Sequence, residues 1–141
     1  MVSSQGSIIE RHQLENGMEI ILYDQTRRMG ADRWIVELEF VAYIPIEESL
    51  WHMVANEDQQ TLAGIRKKLG DRLKQTFTKK RIFVEEHERG HMLEEMIQQV
   101  FSGMMEYLKK PNFPTKLFKK QYHDARQKIL LQQAMDHVAD D

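Results

Sequence analysis

Trp34-Ile35-Val36-Glu37-Leu38-Glu39-Phe40-Val41-Ala42-Tyr43-Ile44 is the stretch that decides the fold. Successive side chains of an extended chain point to opposite faces, so one face collects Trp34, Val36, Leu38, Phe40, Ala42 and Ile44. The other collects Ile35, Glu37, Glu39, Val41 and Tyr43. A strand with one wholly apolar face must lie against a second apolar layer. Pro45, which has no N–H to donate to a ladder, ends the strand or sets it at an edge.

Working outward, Ser7 to Leu14 and Met18 to Gln25 read as two strands joined at Glu15-Asn16-Gly17, where Asn-Gly predicts a type I′ hairpin turn. Residues 26–32 read as a polar connector. Downstream, Asp58 is placed to cap a short helix with Leu62, Ile65 and Leu69 on one side and Gly70 as its stop. Leu73 to Val84 reads as a fourth strand whose basic middle suits an edge, where lysine discourages aggregation. Glu86 to Leu108 reads as a long helix with Leu93, Met96, Ile97, Val100, Phe101, Met104 and Leu108 on one side. Met92 and Met105 widen that arc to about 220°, more than one sheet face requires. Residues 109–114 break the chain, and Pro114 is suited to open a last helix carrying Phe118, Tyr122, Ala125 and Ile129. That stripe is expected to cover the excess. The expectation is therefore an α+β fold with an antiparallel sheet of about four strands, an N-terminal three-stranded meander plus one. Two C-terminal helices pack on one face, and a short helix lies between strands three and four.

The 141 residues are one domain's worth, so 1–141 reads as a single domain with fraying expected at 1–5 and 135–141. Apolar residues make up 41% and charged residues 30%, a globular balance rather than a disordered one. Absence of cysteine excludes disulfides and thiolate chemistry. The polar start has no signal-peptide pattern, and no apolar run approaches the roughly 20 residues of a spanning helix, so no membrane association and a cytoplasmic location are expected. Charge is segregated: residues 1–65 hold 4 arginines against 11 acids, and residues 66–82 hold 8 basic groups against Asp71 alone. Blocks of this kind suit pairing across the fold or the steering of a charged partner.

Five short segments carry a likeness to known sequences. Leu14-Glu15-Asn16-Gly17-Met18, Tyr23-Asp24-Gln25-Thr26-Arg27 and Asp32-Arg33-Trp34 resemble a family of small bacterial proteins of unknown function. Lys80-Arg81-Ile82-Phe83-Val84 and Pro111-Asn112-Phe113-Pro114 are similar to it as well, so the likeness spans most of the chain. The resemblance implies a bacterial cytoplasmic origin and no assigned activity.

His87-Glu88-Arg89-Gly90-His91 spells the two-histidine zinc motif of metalloproteases. On a helix the two imidazoles share a face and can bind zinc, with Glu88 as general base. A third ligand would come from His123 or Asp124 on the last helix. The context opposes this: Glu85 and Arg89 put charge around the motif, and Gly90 costs about 1 kcal/mol within a helix. The motif is read as accidental, with no metal or cofactor expected. His12, His52 and His137 read as exposed or locally bonded. Glu37 and Glu39 share a strand face and are read as a solvated pair rather than an acid–base pair. The block Arg66, Lys67, Lys68, Arg72, Lys74, Lys79, Lys80 and Arg81 offers phosphate contacts with Phe77 as a stacking ring. A second block is Lys109, Lys110, Lys116, Lys119 and Lys120. The pI of about 6.3 and the lack of a recognition motif weigh against nucleic acid. The favoured reading is a small cytoplasmic binding or regulatory module acting through protein contacts, including self-association as a homodimer through Ile35, Val41 and Tyr43. The alternatives are the zinc metallohydrolase and nucleic-acid binding through residues 66–81.

Overall fold

The computed structural model describes residues 6–139, so residues 1–5 and 140–141 of the two ends expected to fray lie outside it. The described chain divides into two compact units. One is drawn from the chain up to Tyr43 and from Lys74–Pro111, the other from Ile44–Leu73 and from Asn112 onward.

The first unit is built on an antiparallel sheet of β1 (Ser7–Gln13), β2 (Glu19–Asp24), β3 (Arg27–Gly30), β4 (Arg33–Pro45) and β5 (Arg72–Glu85), of which the last two residues of β4 and the first two of β5 are counted with the second unit. Five strands replace the four expected, because β3 lies in the segment read as a polar connector. Its register explains why. Asp24 stands opposite Leu38 and Arg27 opposite Ile35, so β3 resumes the ladder that β2 leaves, along the same edge of β4. At the break, Gln25 N donates to Glu37 O at 2.9 Å, while Glu37 N donates to the Thr26 hydroxyl at 3.4 Å. The Asp24 carboxylate accepts from Thr26 N at 2.9 Å, the side-chain turn that interrupts the strand. Backbone bonds hold β3; no apolar alternation announces it.

The β1–β2 turn also differs from expectation. Gly17 has φ 92°, but Asn16 is not left-handed, so the connection is not type I′. Gly17 N donates to Leu14 O and Leu14 N to Met18 O, giving a three-residue loop with glycine at its left-handed position. Asn16 is used elsewhere. Its amide donates to Leu108 O at 2.8 Å and Lys110 O at 3.0 Å, closing the end of a helix 92 residues away.

Ile20, Leu22, Val36, Leu38, Phe40 and Ala42 are fully buried on the expected inner face. The outer face is covered too. Ile21, Tyr23 and Val41 form a buried cluster with Tyr43 packed against it. Of the residues expected to serve self-association, Val41 and Tyr43 thus pack in this cluster, and Ile35 is half-buried.

Helical chain runs across the inner face from Glu86 to Leu108, but its pitch changes. A 3-10 turn (Glu86–Glu88) leads into α3 (Arg89–Gln99), a π-helical turn (Val100–Met104) and α4 (Met105–Leu108). The π turn accounts for the over-wide apolar arc. At ~100° per residue, Met96 and Met105 would stand on opposite sides of an unbroken α-helix. A five-residue π turn, at roughly 82° per residue, removes about 90° of rotation. Met96, Val100, Met105 and Leu108 then share an arc of about 90°, and all four are buried. The Phe101 ring meets His12 of β1 edge-on at 4.8 Å.

The second unit contains α1 (Glu48–His52), α2 (Gln59–Leu69) and α5 (Phe113–Ala139). Asp58 caps α2 as expected, accepting from Thr61 N at 3.1 Å, and Gly70 ends it at φ 74°. α1 was not anticipated; its Trp51 is buried edge-on against Phe118 of α5 at 5.2 Å. The Phe118 stripe, expected to complete the cover of the preceding helix, packs here on α1 and α2. Gly64 permits the approach: a β-carbon there would stand 3.2 Å from Ile129 Cδ1. Residues 135–139, within the end expected to fray, lie in α5. Among the described residues, no helix is long and apolar enough to cross a membrane.

Candidate interaction surface

β5 alternates from Lys74 to Lys80: Lys74, Thr76, Thr78 and Lys80 are exposed, while Gln75, Phe77 and Lys79 are half-buried. Phe77 stacks on Phe40 at 4.9 Å, which fixes odd positions inward. Continued to the end of the strand, that parity would bury Phe83 and expose Val84. The opposite occurs: Val84 is buried and Phe83 is 64% exposed. The switch is made at Phe83, whose φ is 59°, the left-handed conformation that a bulge usually gives to glycine. An L-residue held there costs about 1–2 kcal/mol. Such strain persists where the surroundings enforce it, and it concentrates at functional positions.

Phe83 is not alone. Ile82 is 53% exposed, and Met29 of β3 is 38% exposed with its sulfur 3.4 Å from Phe83 N. Arg28, directly opposite Trp34 in the ladder, places its guanidinium 5.1 Å from the indole centroid. Arg89, the first residue of α3, places its own at 4.0 Å. The Trp34 ring is therefore held in cation–π contact with two arginines, and its buried indole N–H has no acceptor among the described residues. Arg28 and Arg81 donate to the carbonyls of Ala31 and Lys80. Arg33 bridges Asp32 at 3.0 Å and Glu85 at 3.6 Å. The result is an apolar centre of Met29, Ile82 and Phe83 with a basic rim of Arg28, Lys80 and Arg81. Exposed aromatic and methionine side chains with arginine are the residues that anchor protein interfaces.

The zinc motif falls beside this surface. His87 lies in the 3-10 turn and pairs with Glu85 at 3.4 Å. His91 lies on α3 and pairs with Glu95 at 3.2 Å. The motif is thus split between two helix types, and the potential metal ligands that gather here are Glu85, His87 and Glu88. His91 does not join them, and His123 and Asp124 are exposed on α5. Glu37 and Glu39 line an outer-face groove of about 310 Å³ with Gln25, Arg27, Lys74 and Thr76. Each carboxylate is engaged, Glu37 by Arg27 at 2.7 Å and Glu39 by the Gln25 amide at 3.3 Å. The basic block divides between the units: Lys74, Lys79, Lys80 and Arg81 belong to the first, and Arg66, Lys67, Lys68 and Arg72 to the second. Arg66 pairs with Glu48 and lies 4.6 Å from the Trp51 centroid. In the other block, Lys109 pairs with Glu106, and Lys110 sits over Tyr107. Phe77, offered as a stacking ring, is occupied by Phe40.

One polar cluster was not foreseen. In the second unit Glu57, 12% exposed, accepts 2.6 Å hydrogen bonds from Tyr122 Oη and Arg126 Nε. These donors, Tyr122 first, hold the Glu57 carboxyl below its ordinary range. Burial and the Glu57 hydrogen bond push the Tyr122 hydroxyl up to about 12. Residues 65 and 69 positions apart carry no local pattern that would have linked them.

Compared with known proteins, the chain matches no family, no curated protein and no solved structure.

Proposed function

We propose that the protein is a small binding or regulatory module of the cytoplasm, acting through protein contacts at the surface centred on Phe83. The observation that carries this reading is an aromatic ring kept largely in solvent at a left-handed position where glycine would be unstrained. The part of the ring that folding buries offsets the backbone strain, and the 64% that stays in solvent is left for a contact. The basic rim suits a partner with an apolar socket edged by carboxylates, which it would steer and orient.

Substitution by glycine at this position removes the ring and keeps the backbone. Capture of partners from the source-cell lysate is expected to lose a specific protein with Phe83→Gly and with the pair Ile82→Ser/Met29→Ser. The same protein is expected to remain with Leu131→Ser, which alters an exposed apolar residue of α5. Capture indifferent to Phe83, Ile82 and Met29 would remove the proposal.

A further inference from the structure

We infer that the open edge of β5 between Lys74 and Lys80 takes an extended acidic peptide as an added strand, with Phe83 and Ile82 holding the peptide at the bulged end. The inference rests on the protein-binding reading above and names the partner's form. β5 pairs with β4 and, among the described residues, with no other strand. Its other edge therefore presents a row of backbone donors and acceptors, the template for strand addition. At 14 residues β5 is long for an edge strand, and its alternation is unbroken from Lys74 to Lys80.

The charge of the edge selects the occupant. If a second copy paired antiparallel about Phe77, neighbouring registers would set Lys74 against Lys79, Lys80 or Arg81. Like charges directly opposite one another destabilise a strand pair, so the edge rejects itself. A strand bearing Glu or Asp at alternate positions meets the opposite condition at Lys74 and Lys80, which share the outward face of β5. Lysines that guard the edge against self-pairing thus also specify an acidic guest. The bulge at Phe83 breaks the ladder and limits how far the guest can pair. Beyond it Ile82, Phe83 and Met29 offer an apolar stop, and Arg81 and Arg28 offer charge. Backbone bonds supply the generic affinity, and alternate side chains supply the selectivity.

The probe is a labelled synthetic peptide, acetyl-Glu-Val-Glu-Val-Asp-Val-Glu-Phe-amide, titrated against the full chain by fluorescence anisotropy. Two analogues carry backbone N-methyl groups on either the odd or the even residues. Only one set of peptide N–H groups faces β5, so one analogue is expected to bind at least ten-fold more weakly and the other like the parent. Amide exchange in residues 74–80 should slow when the parent peptide binds. Lys74→Glu/Lys80→Glu, which reverses the two outward lysines, should weaken binding at least ten-fold. Equal binding of both analogues would show mere charge attraction and overturn strand addition, as would no binding at millimolar peptide. Tighter binding of a single-stranded oligonucleotide than of the peptide would overturn it in favour of nucleic acid. If the peptide fails while capture still depends on Phe83, strand addition falls and the docking reading stands. If capture is also indifferent to Phe83, both fall.

Discussion

Replacing Phe83 by alanine and by glycine measures the strain at the bulge directly. The ring is 64% exposed, so folding removes roughly 70 Å² of a ~200 Å² side chain from water. At ~25 cal/mol per Å² that burial contributes at most about 1.8 kcal/mol. Phe83→Ala forfeits most of it and keeps the β-carbon, hence also the left-handed cost of about 1–2 kcal/mol. Phe83→Gly forfeits the burial but relieves that cost, at an entropic penalty of about 0.5–1 kcal/mol. The glycine variant should therefore be more stable than the alanine variant by about 1 kcal/mol, the reverse of their ordinary order in strands. In urea denaturation the two should share a slope and differ in midpoint, with a Tm difference of roughly 3–4 °C. Alanine equal to or above glycine would refute the left-handed assignment and the argument built on it.

Asn16→Ala should cost about 1–2 kcal/mol, because it removes two donors to the end of α4 and the acceptor for Met18 N; an unchanged midpoint in the same assay would show that those carbonyls are satisfied otherwise. Glu57 titrates below its ordinary value when folded, so its contribution is present above pH ~4.5 and lost as pH falls through the depressed value. Tyr122 holds its proton to about 12, so its contribution is complete below pH 10 and lost between pH 10 and about 12. Denaturation across pH should show both limbs, with Glu57→Gln flattening the acid one and Tyr122→Phe reducing the alkaline one; Tyr23, raised by burial and by Tyr43, leaves a remainder. His87→Ala/His91→Ala should change stability by less than ~0.5 kcal/mol, since each histidine is exposed in a surface pair. Metal analysis of untagged protein checks the same site: substoichiometric zinc is expected, and one tightly held zinc per chain, lost in His91→Ala, would establish the metallohydrolase instead.

What was legible in the sequence followed from period. The Trp34-to-Ile44 alternation located the central strand and its buried face, and the Asp58 and Gly70 signals bounded α2. Where backbone bonds rather than side-chain patterns define an element, the sequence was silent, as in β3, whose Arg27-Arg28-Met29-Gly30 has no apolar face. The Asn-Gly turn was located but mistyped, because Asn16 spends its side chain on Leu108 and Lys110, a use set by tertiary structure. The long helix carried a readable warning: an apolar arc of about 220° is too wide for one α-helical phase, and the π turn resolves it. β5 carried another. Phe77 fixes odd positions inward while Val84 requires an even one, and that conflict of parity marks a bulge between them. Read as a plain strand, the segment hid Phe83, the residue on which the candidate surface turns.

Photo-crosslinking from position 83 tests the central claim most directly. With p-benzoylphenylalanine in place of Phe83 in the source cell, irradiation should yield one discrete adduct with a partner protein. The same group at Leu131 on α5 should not give that adduct. The adduct should also vanish when Lys80 and Arg81 are reversed in charge. No adduct from position 83, or the same adduct with equal yield from Leu131, would contradict the assignment of this surface as the docking site.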